Sequence, residues 1–413
     1  MKLLAYTSPA RGHLYPIVPI LEELISRGHR AHVCTLPGEL DSLAPIGVTA
    51  QAIDPLVEAI EIEDWRKRSL PGGARSVLRT LSSRASVEAP DLARAIDRHD
   101  PDVLLIDVNC WGAATVAEAS GRPWAVYSPY LLPLRSRDAP PFGIGLRPRN
   151  DRLGAIRDAI GRPIASAGFD RLAMPSINRL RAQHGLPRLA RYDDLLARSP
   201  LLLALTAEGF EYPRRDWPAN VRLVGSLNWA PPEPAPRWLS ELADPLVLVT
   251  CSTERQRDER LIEVALAALP AAGMSVIATS AAHDPRAFRT GPSSRVVRFL
   301  SHDAALRRAA CVVCHGGMGI TQKALAAEVP VVVVPIGRDQ LETARRVQVA
   351  KAGVWLTPRR LTPARLVSAV RAVIDRQAGA ARVSRAYAAA GGSVAATDAI
   401  EAIVRLPAMR GGL

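Results

Sequence analysis

Residues 311–347, CVVCHGGMGITQKALAAEVPVVVVPIGRDQLETARRV, constrain the fold more than any other stretch. They read as strand, glycine turn, helix, strand, loop and helix. The apolar run at 311–314 is followed by Gly316, Gly317 and Gly319, which let the backbone turn tightly and approach a ligand without Cβ clashes. A helix is expected over 321–327, and the β-branched run at 331–334 is too short for a helix and reads as a buried strand. Asp339 and Gln340 open the next helix. A glycine turn feeding a helix start presents unpaired N–H groups and the positive end of the helix dipole, which suits a phosphate.

Cys311, Cys314 and His315 also spell C-x-x-C-H, the pattern of c-type haem attachment. Haem attachment requires export, whereas MKLLAYTSPARGH reads as a first strand rather than a signal peptide. Two small apolar residues of a core strand are the expected role of these cysteines. Five cysteines, an odd number in a long chain, point to a reducing cytoplasm. No apolar run reaches the ~18 residues of a membrane span.

At 413 residues two domains are expected. The net charge of +13 raises the question of nucleic acid. Only four of the 53 basic residues are lysines, and the arginines are spread along the chain. Nucleic-acid binding would need a basic patch, so no nucleic-acid partner is expected.

The N-terminal half opens as a βαβ unit. A strand at 3–7, a loop containing Gly12 and His13, a helix at 16–27 and a strand at 29–36 predict a parallel sheet. Residues 54–84, interrupted by Pro71-Gly72-Gly73, read as a variable, partly helical surface segment. A helix at 89–98, a strand at 102–107, a helix at 110–119 and a strand at 124–128 follow. Residues 131–152 read as loop, 153–184 as helical stretches, and 201–206 and 221–224 as short strands. Five prolines within 228–245 mark a semi-rigid linker. A second αβ series runs from 246 to 385, with strands at 246–250, 274–278, 296–300, 312–314, 331–334 and 354–356. The resulting division is 1–227, a linker at 228–245, 246–385, and a helical region at 386–413 that can pack back on the first domain.

The stretch HGGMGITQKALAAEVPVVVVPIGRDQLETARRV resembles the donor-binding signature of the nucleotide-diphosphosugar glycosyltransferases, in particular the bacterial natural-product group that acts on macrolides and polyketides. SPARGHLYP near the N-terminus resembles the acceptor-side motif of that group. The resemblance is strong over 311–347, fair over 8–16 and 246–256, and weak over 54–200. It implies an α/β fold of two Rossmann-like domains facing across a cleft (GT-B), which the two βα-rich halves and the proline linker favour independently.

What the resemblance implies can be set beside the chemistry of each residue. His315, Gly316 and Gly317 would hold the donor diphosphate, an imidazole N–H and backbone N–H groups neutralising phosphate oxygens. Asp339 and Gln340 would contact donor sugar hydroxyls, since both carry good acceptors, although such a pair alone is an ordinary helix cap. The run 252–256, STERQ, resembles the Ser-Thr-x-x-Gln form of deoxysugar-transferring members. Thr253 is the expected phosphate contact there, and helix capping by Ser252 or Thr253 is the plain alternative. Arg298 and Leu300 lie where the family binds the nucleobase through backbone groups, with Ser301 standing where many members have Pro.

His13 corresponds to the catalytic base. Its place before a helix start is expected to favour the neutral imidazole, which can accept a proton from an acceptor hydroxyl. Asp107 corresponds to the aspartate that fixes the tautomer of that histidine. The plain alternatives are packing for His13 and helix capping for Asp107. Two positions depart from the pattern. Ile320 replaces a common Thr, and Lys323 replaces the Glu that holds ribose hydroxyls.

The reading is an inverting glycosyltransferase that moves a sugar from a nucleoside-diphosphate donor to a hydroxyl of a hydrophobic small molecule. The Ser-Thr-x-x-Gln form and Lys323 lean towards a dTDP-linked deoxysugar over a UDP-linked one. No metal and no resident cofactor are implied, because the nucleotide sugar is a co-substrate. An epimerase or hydrolase on the same fold, or a non-catalytic activator of another transferase, remain alternatives. A homodimer stays open.

Overall fold

The computed structural model describes residues 1–67, 69–149 and 151–405. The last part of the expected C-terminal helical region, 406–413, lies outside the described residues, as do positions 68 and 150.

The first half builds a sheet from β1 (Lys2–Tyr6), β2 (Arg30–Thr35), β3 (Thr49–Ala52), β4 (Val103–Asp107), β5 (Trp124–Ser128), β6 (Leu201–Ala204) and β7 (Val221–Leu223). All neighbours are parallel, in the order β3-β2-β1-β4-β5-β6-β7. The second sheet uses β8 (Leu246–Thr250), β9 (Ser275–Thr279), β10 (Ser294–Val297), β11 (Ala309–Cys314), β12 (Val331–Val333) and β13 (Gly353–Trp355). It too is wholly parallel, in the order β10-β9-β8-β11-β12-β13. Helices cover both faces of each sheet, so the central strands are apolar on both sides, as Val103–Asp107 and Leu246–Thr250 are.

Each sheet reverses its direction of winding once, between β1 and β4 in the first and between β8 and β11 in the second. Helices leave the sheet to opposite faces there, and a crevice opens at the carboxyl ends of those strands. This topology, rather than any single motif, decides where a ligand can sit.

One sequence expectation fails. The segment at 54–84 is not surface throughout, because Leu70–His99 is one continuous 30-residue helix with Leu78, Leu81 and Ala85 in the core. Pro71 lies in its first turn, where no intrahelical N–H is required, and the Ser69 hydroxyl caps Gly72 N–H at 3.2 Å. The helix packs so closely on Trp111–Ala119 that a Cβ at Gly112 would lie 2.0 Å from the Ala85 carbonyl oxygen. The C-terminal region is helical as expected, in two pieces, Gln377–Ala389 and Gly392–Arg405. The first stays with the second sheet through Ala380, Val383 and Tyr387. The chain turns at Gly391, with φ of +87°, and the second helix packs Ala396 and Ile400 beside Leu14 and Leu21 of the first half. Arg27 ties that helix down through Asp398 at 2.6 Å.

Candidate functional site

The first crevice lies at the ends of β1 and β4. After β1 the chain enters a four-residue helix, Arg11–Leu14, which carries His13. Asp107 is the last residue of β4 and is fully buried. Four donors surround its carboxylate. Oδ2 accepts from His13 Nδ1 at 2.7 Å, from the Tyr127 hydroxyl at 2.9 Å and from Ser8 N–H at 3.3 Å, while Oδ1 accepts from Asn109 N–H at 2.8 Å. An acceptor-only group with four donors is a carboxylate whose burial is compensated. Donation from Nδ1 assigns the lone pair of neutral His13 to Nε2. The Asn109 amide nitrogen stands 3.5 Å from that Nε2, and the Tyr130 hydroxyl holds the other end of the amide at 2.7 Å.

The helix start is not the strongest influence on the charge of His13. Burial disfavours the charged ring, but the Asp107 carboxylate outweighs it, with Glu254 and Asp339 adding from across the cleft. The His13 pKa is therefore raised. A full charge at 2.7 Å exceeds the partial charge of a one-turn helix in which His13 is itself a member.

The second crevice lies at the ends of β8 and β11. His315 follows β11 and is buried, and its Nδ1 has no partner among the described residues. Burial lowers its pKa, with Arg338 adding and Asp258 opposing, which favours a neutral ring. Its Nε2 stands over Gly317, where a Cβ would lie 2.3 Å away. Gly316 has φ of +91° and backs onto Val333 and Gln340, so this turn requires glycine for both reasons. The helix starts at Met318, earlier than expected, so Gly319 sits in its first turn beside open space.

The other expected residues divide into open and committed groups. Thr253 is exposed on the loop after β8, and its hydroxyl makes no hydrogen bond among the described residues. Neither Ser252 nor Thr253 caps the following helix, Glu259–Ala268, whose N-cap residue is Asp258. Ser252 Oγ instead accepts from Gln256 Nε2 at 3.0 Å, and Gln256 Oε1 accepts from Gln340 Nε2 at 2.7 Å. Gln340 Oε1 accepts from the N–H groups of Ile336 and Gly337 at 2.7 and 3.0 Å. Gln340 is thus a brace between two loops, with one amide hydrogen left over. Asp339 occupies the N-cap position of Gln340–Val349 without capping it, and burial raises its pKa. Arg298 is exposed, its carbonyl accepts from Ala281 N–H at 2.9 Å, and Leu300 is buried behind it.

Both departures from the family pattern acquire a structural meaning. Thr321 cannot stand in for the hydroxyl missing at Ile320, because its Oγ1 donates to the Gly317 carbonyl at 2.9 Å. Lys323 donates to the carbonyl of Trp229 in the linker at 2.9 Å, and burial lowers its pKa.

Several site residues carried no sequence signal strong enough to find them. Arg338, with φ of +54°, pairs with Glu254 and reaches Asp64 on the first half at 2.9 and 3.0 Å. Glu254 and Arg338 adjoin Thr253 and Asp339, so adjacency was the available hint, whereas Asp64 lies in an unpatterned segment. Behind the 252–256 loop, Asp258 accepts from Ser252 N–H at 2.6 Å and contacts His283 Nε2 at 2.8 Å, with Cys251 nearby. Cys311 and Cys314 fall in cores on opposite faces of the second sheet, so they cannot address one haem.

The family profile described as "Erythromycin biosynthesis protein CIII-like, C-terminal domain" matches residues 263–405. The chain is 33% identical to the 4'-demethylrebeccamycin synthase of Lentzea aerocolonigenes, over 98% of this chain and 99% of that one. It is 33% identical to a PGL/p-HBAD biosynthesis rhamnosyltransferase of Mycobacterium bovis (strain BCG / Pasteur 1173P2), over 77% of this chain and 70% of the relative. Among solved structures, a spinosyn rhamnosyltransferase complexed with thymidine diphosphate superposes with a TM-score of 0.71 at 18% identity, covering 97% of this chain and 100% of that one. No helix of the described residues is long and apolar enough to cross a membrane.

Proposed function

Because the chain belongs to the natural-product glycosyltransferases of GT-B fold, we propose that it transfers a deoxysugar, with inversion and without a metal, from a thymidine-diphosphate donor to a hydroxyl of an apolar acceptor. One observation carries the reading. The His13–Asp107 pair at the β1/β4 crevice lies near enough to the second half for Glu254 and Asp339, beside the β8/β11 crevice, to act on the imidazole. The first domain, 1–227, takes the acceptor, and the second, 246–385, takes the donor.

The acceptor hydroxyl gives its proton to His13 Nε2 as its oxygen bonds to the anomeric carbon. The bond from that carbon to the phosphate oxygen breaks on the opposite face, and the nucleoside diphosphate departs. Asp107 holds the Nδ1 proton and balances the imidazolium as it forms. The neutral His315 ring, the backbone at Gly316 and Gly317, the first turn of Met318–Ala326 and the Thr253 hydroxyl receive the charge that develops on the diphosphate. Asp339 and the remaining Gln340 N–H meet sugar hydroxyls. Backbone groups at Arg298 and Leu300 meet the base.

The donor assignment rests on Lys323. Its ammonium is held by the Trp229 carbonyl, and no carboxylate stands at that position to take two ribose hydroxyls. Thymidine lacks the 2′-hydroxyl and loses less from that change. Its 5-methyl group adds up to ~0.8 kcal/mol if buried. The thymidine diphosphate complex of the spinosyn enzyme supports the same choice. Calorimetric titration of thymidine and uridine diphosphates in one buffer tests it, with thymidine diphosphate expected to bind at least as tightly. Clearly tighter uridine diphosphate overturns the donor, and no binding of either overturns the transferase reading. His13→Ala should lower transfer by at least ~10²-fold while leaving nucleotide affinity unchanged.

A further inference from the structure

Eleven large hydrophobic side chains are exposed among the described residues, and six of them fall between positions 144 and 172. Five are on the helix Arg152–Gln183, and four of these, Leu153, Ile156, Ile160 and Ile164, are each 58–69% exposed. Their spacings of three, four and four place them within an arc of about 80° on the helix surface. Single exposed aliphatics are ordinary, but a stripe running over about three turns marks a contact surface.

The charge around the stripe is one-sided. Positions 144–171 hold six arginines and three aspartates. Asp151 is paired with Arg149 at 2.5 Å, Asp158 with Arg157 at 2.7 Å, and Asp170 with Arg135 at 3.6 Å. By helical spacing Arg152 and Arg157 flank the stripe on either side, and the exposed Arg171 stands at its far end. No acidic side chain lies on the apolar arc. Aliphatic residues bordered by arginines whose stems can lie along an apolar layer are the pattern of a helix lying in a lipid interface. A second copy of the chain fits poorly. Four aliphatic side chains fall short of the ~800 Å² per partner of a stable interface, and a dyad would oppose like charges.

We propose that this face of the helix Arg152–Gln183 docks on an anionic lipid surface, with Leu153, Ile156, Ile160 and Ile164 entering the headgroup boundary and Arg152 and Arg171 meeting lipid phosphates. Ile144, also exposed, precedes the helix in the loop whose Gly143 and Gly145 N–H groups are both held by Glu342 at 2.8 and 2.9 Å. Docking there leaves the loop anchored to the second half of the molecule.

The test is co-sedimentation of the full chain with vesicles of phosphatidylcholine alone and with ~30% phosphatidylglycerol, at low and high salt. Binding is expected only to the anionic vesicles, weakening as salt screens the arginines. Because a chain of charge +13 adheres to anionic surfaces in any case, the deciding variant is charge-neutral. Ile156→Ser with Ile160→Ser should weaken binding at least about tenfold with unfolding unchanged. Arg152→Gln with Arg171→Gln should weaken it about fivefold per arginine. Serine variants that bind like the parent reduce the effect to bulk charge and overturn the proposal. So does a parent that stays in the supernatant, or a dimer in sedimentation velocity that the serine variants dissociate without any vesicle binding.

Discussion

Replacing Asp107 with Asn separates the geometry of the His13 pair from its charge. The side chain keeps its volume, and its oxygen can keep the 2.8 Å bond from Asn109 N–H. The amide nitrogen then stands where Oδ2 received His13 Nδ1, the Tyr127 hydroxyl and Ser8 N–H. Two of these donors have an escape. His13 can move its proton to Nε2 and accept at Nδ1, and the Tyr127 hydroxyl can turn to the His13 carbonyl at 3.1 Å. Ser8 N–H, at 3.3 Å in the parent, is left facing a donor. One unsatisfied buried group costs about 1–3 kcal/mol, which urea unfolding at neutral pH should read. The new tautomer puts hydrogen on Nε2, where a lone pair is needed, and a wrong tautomer can cost up to ~10⁴-fold in turnover.

The pH dependence of Asp107→Asn has a definite sign. In the parent, Asp107 raises the His13 pKa above its ordinary ~6.5. Stabilisation from the charged pair is therefore fully present below pH ~6.5 and is lost as pH rises through the folded value. The Asn variant should lack this component, so the stability gap between the two proteins narrows towards alkaline pH. Catalysis runs the other way, because the neutral base acts. The acid limb of the parent's rate profile should lie above ~6.5 and move down in the variant. Histidine-labelled NMR can follow the ring without any substrate. A His13 that titrates at the same pH in both proteins would refute the electrostatic argument, and transfer within tenfold of the parent would refute the assignment of the tautomer.

His315→Ala should weaken thymidine diphosphate binding by about 1.5–3 kcal/mol, the range for a hydrogen bond to a charged group, and equal calorimetric affinities would remove His315 from the phosphate site. Arg346→Ala should destabilise the protein by about 3–5 kcal/mol. Its guanidinium contacts Glu211 at 2.6 Å and Glu342 at 2.8 Å in full burial; without it Glu211 retains one cation, Arg214 at 2.9 Å, and Glu342 retains only the N–H groups of Gly143 and Gly145. Burial pushes the Glu211 carboxyl up, yet Arg346 and Arg214 outweigh it and lower its pKa. This stabilisation is present above the ordinary carboxylate pKa and disappears as pH falls through the folded value, so the gap between parent and variant should close in acid. A gap that stays constant to acid pH would show that the loss is one of packing.

What the sequence determined about this protein is what depends on neighbours along the chain. The glycine turn at 316–317 was legible because a strand end that feeds a helix start admits few residues, and the structure adds the reason for each glycine in φ and in contact with Val333 and His315. Apolar runs such as 246–250 announced parallel strands buried on both faces. What only tertiary structure decided is everything carried by distant partners. Whether residues 70–99 form one helix depends on Ala85 meeting Gly112, which outweighs the glycines of its first turn. Lys323 looked like a lost ribose contact, and only the returning linker gives its ammonium the Trp229 carbonyl. The sign of the His13 shift could not be read locally, since helix position argues for the neutral ring and a carboxylate 94 positions away argues against it. The two switch points come from strand order, a property of no single segment, and they convert separate motifs into one cleft because unpaired loops can meet a ligand only where the winding of each sheet reverses.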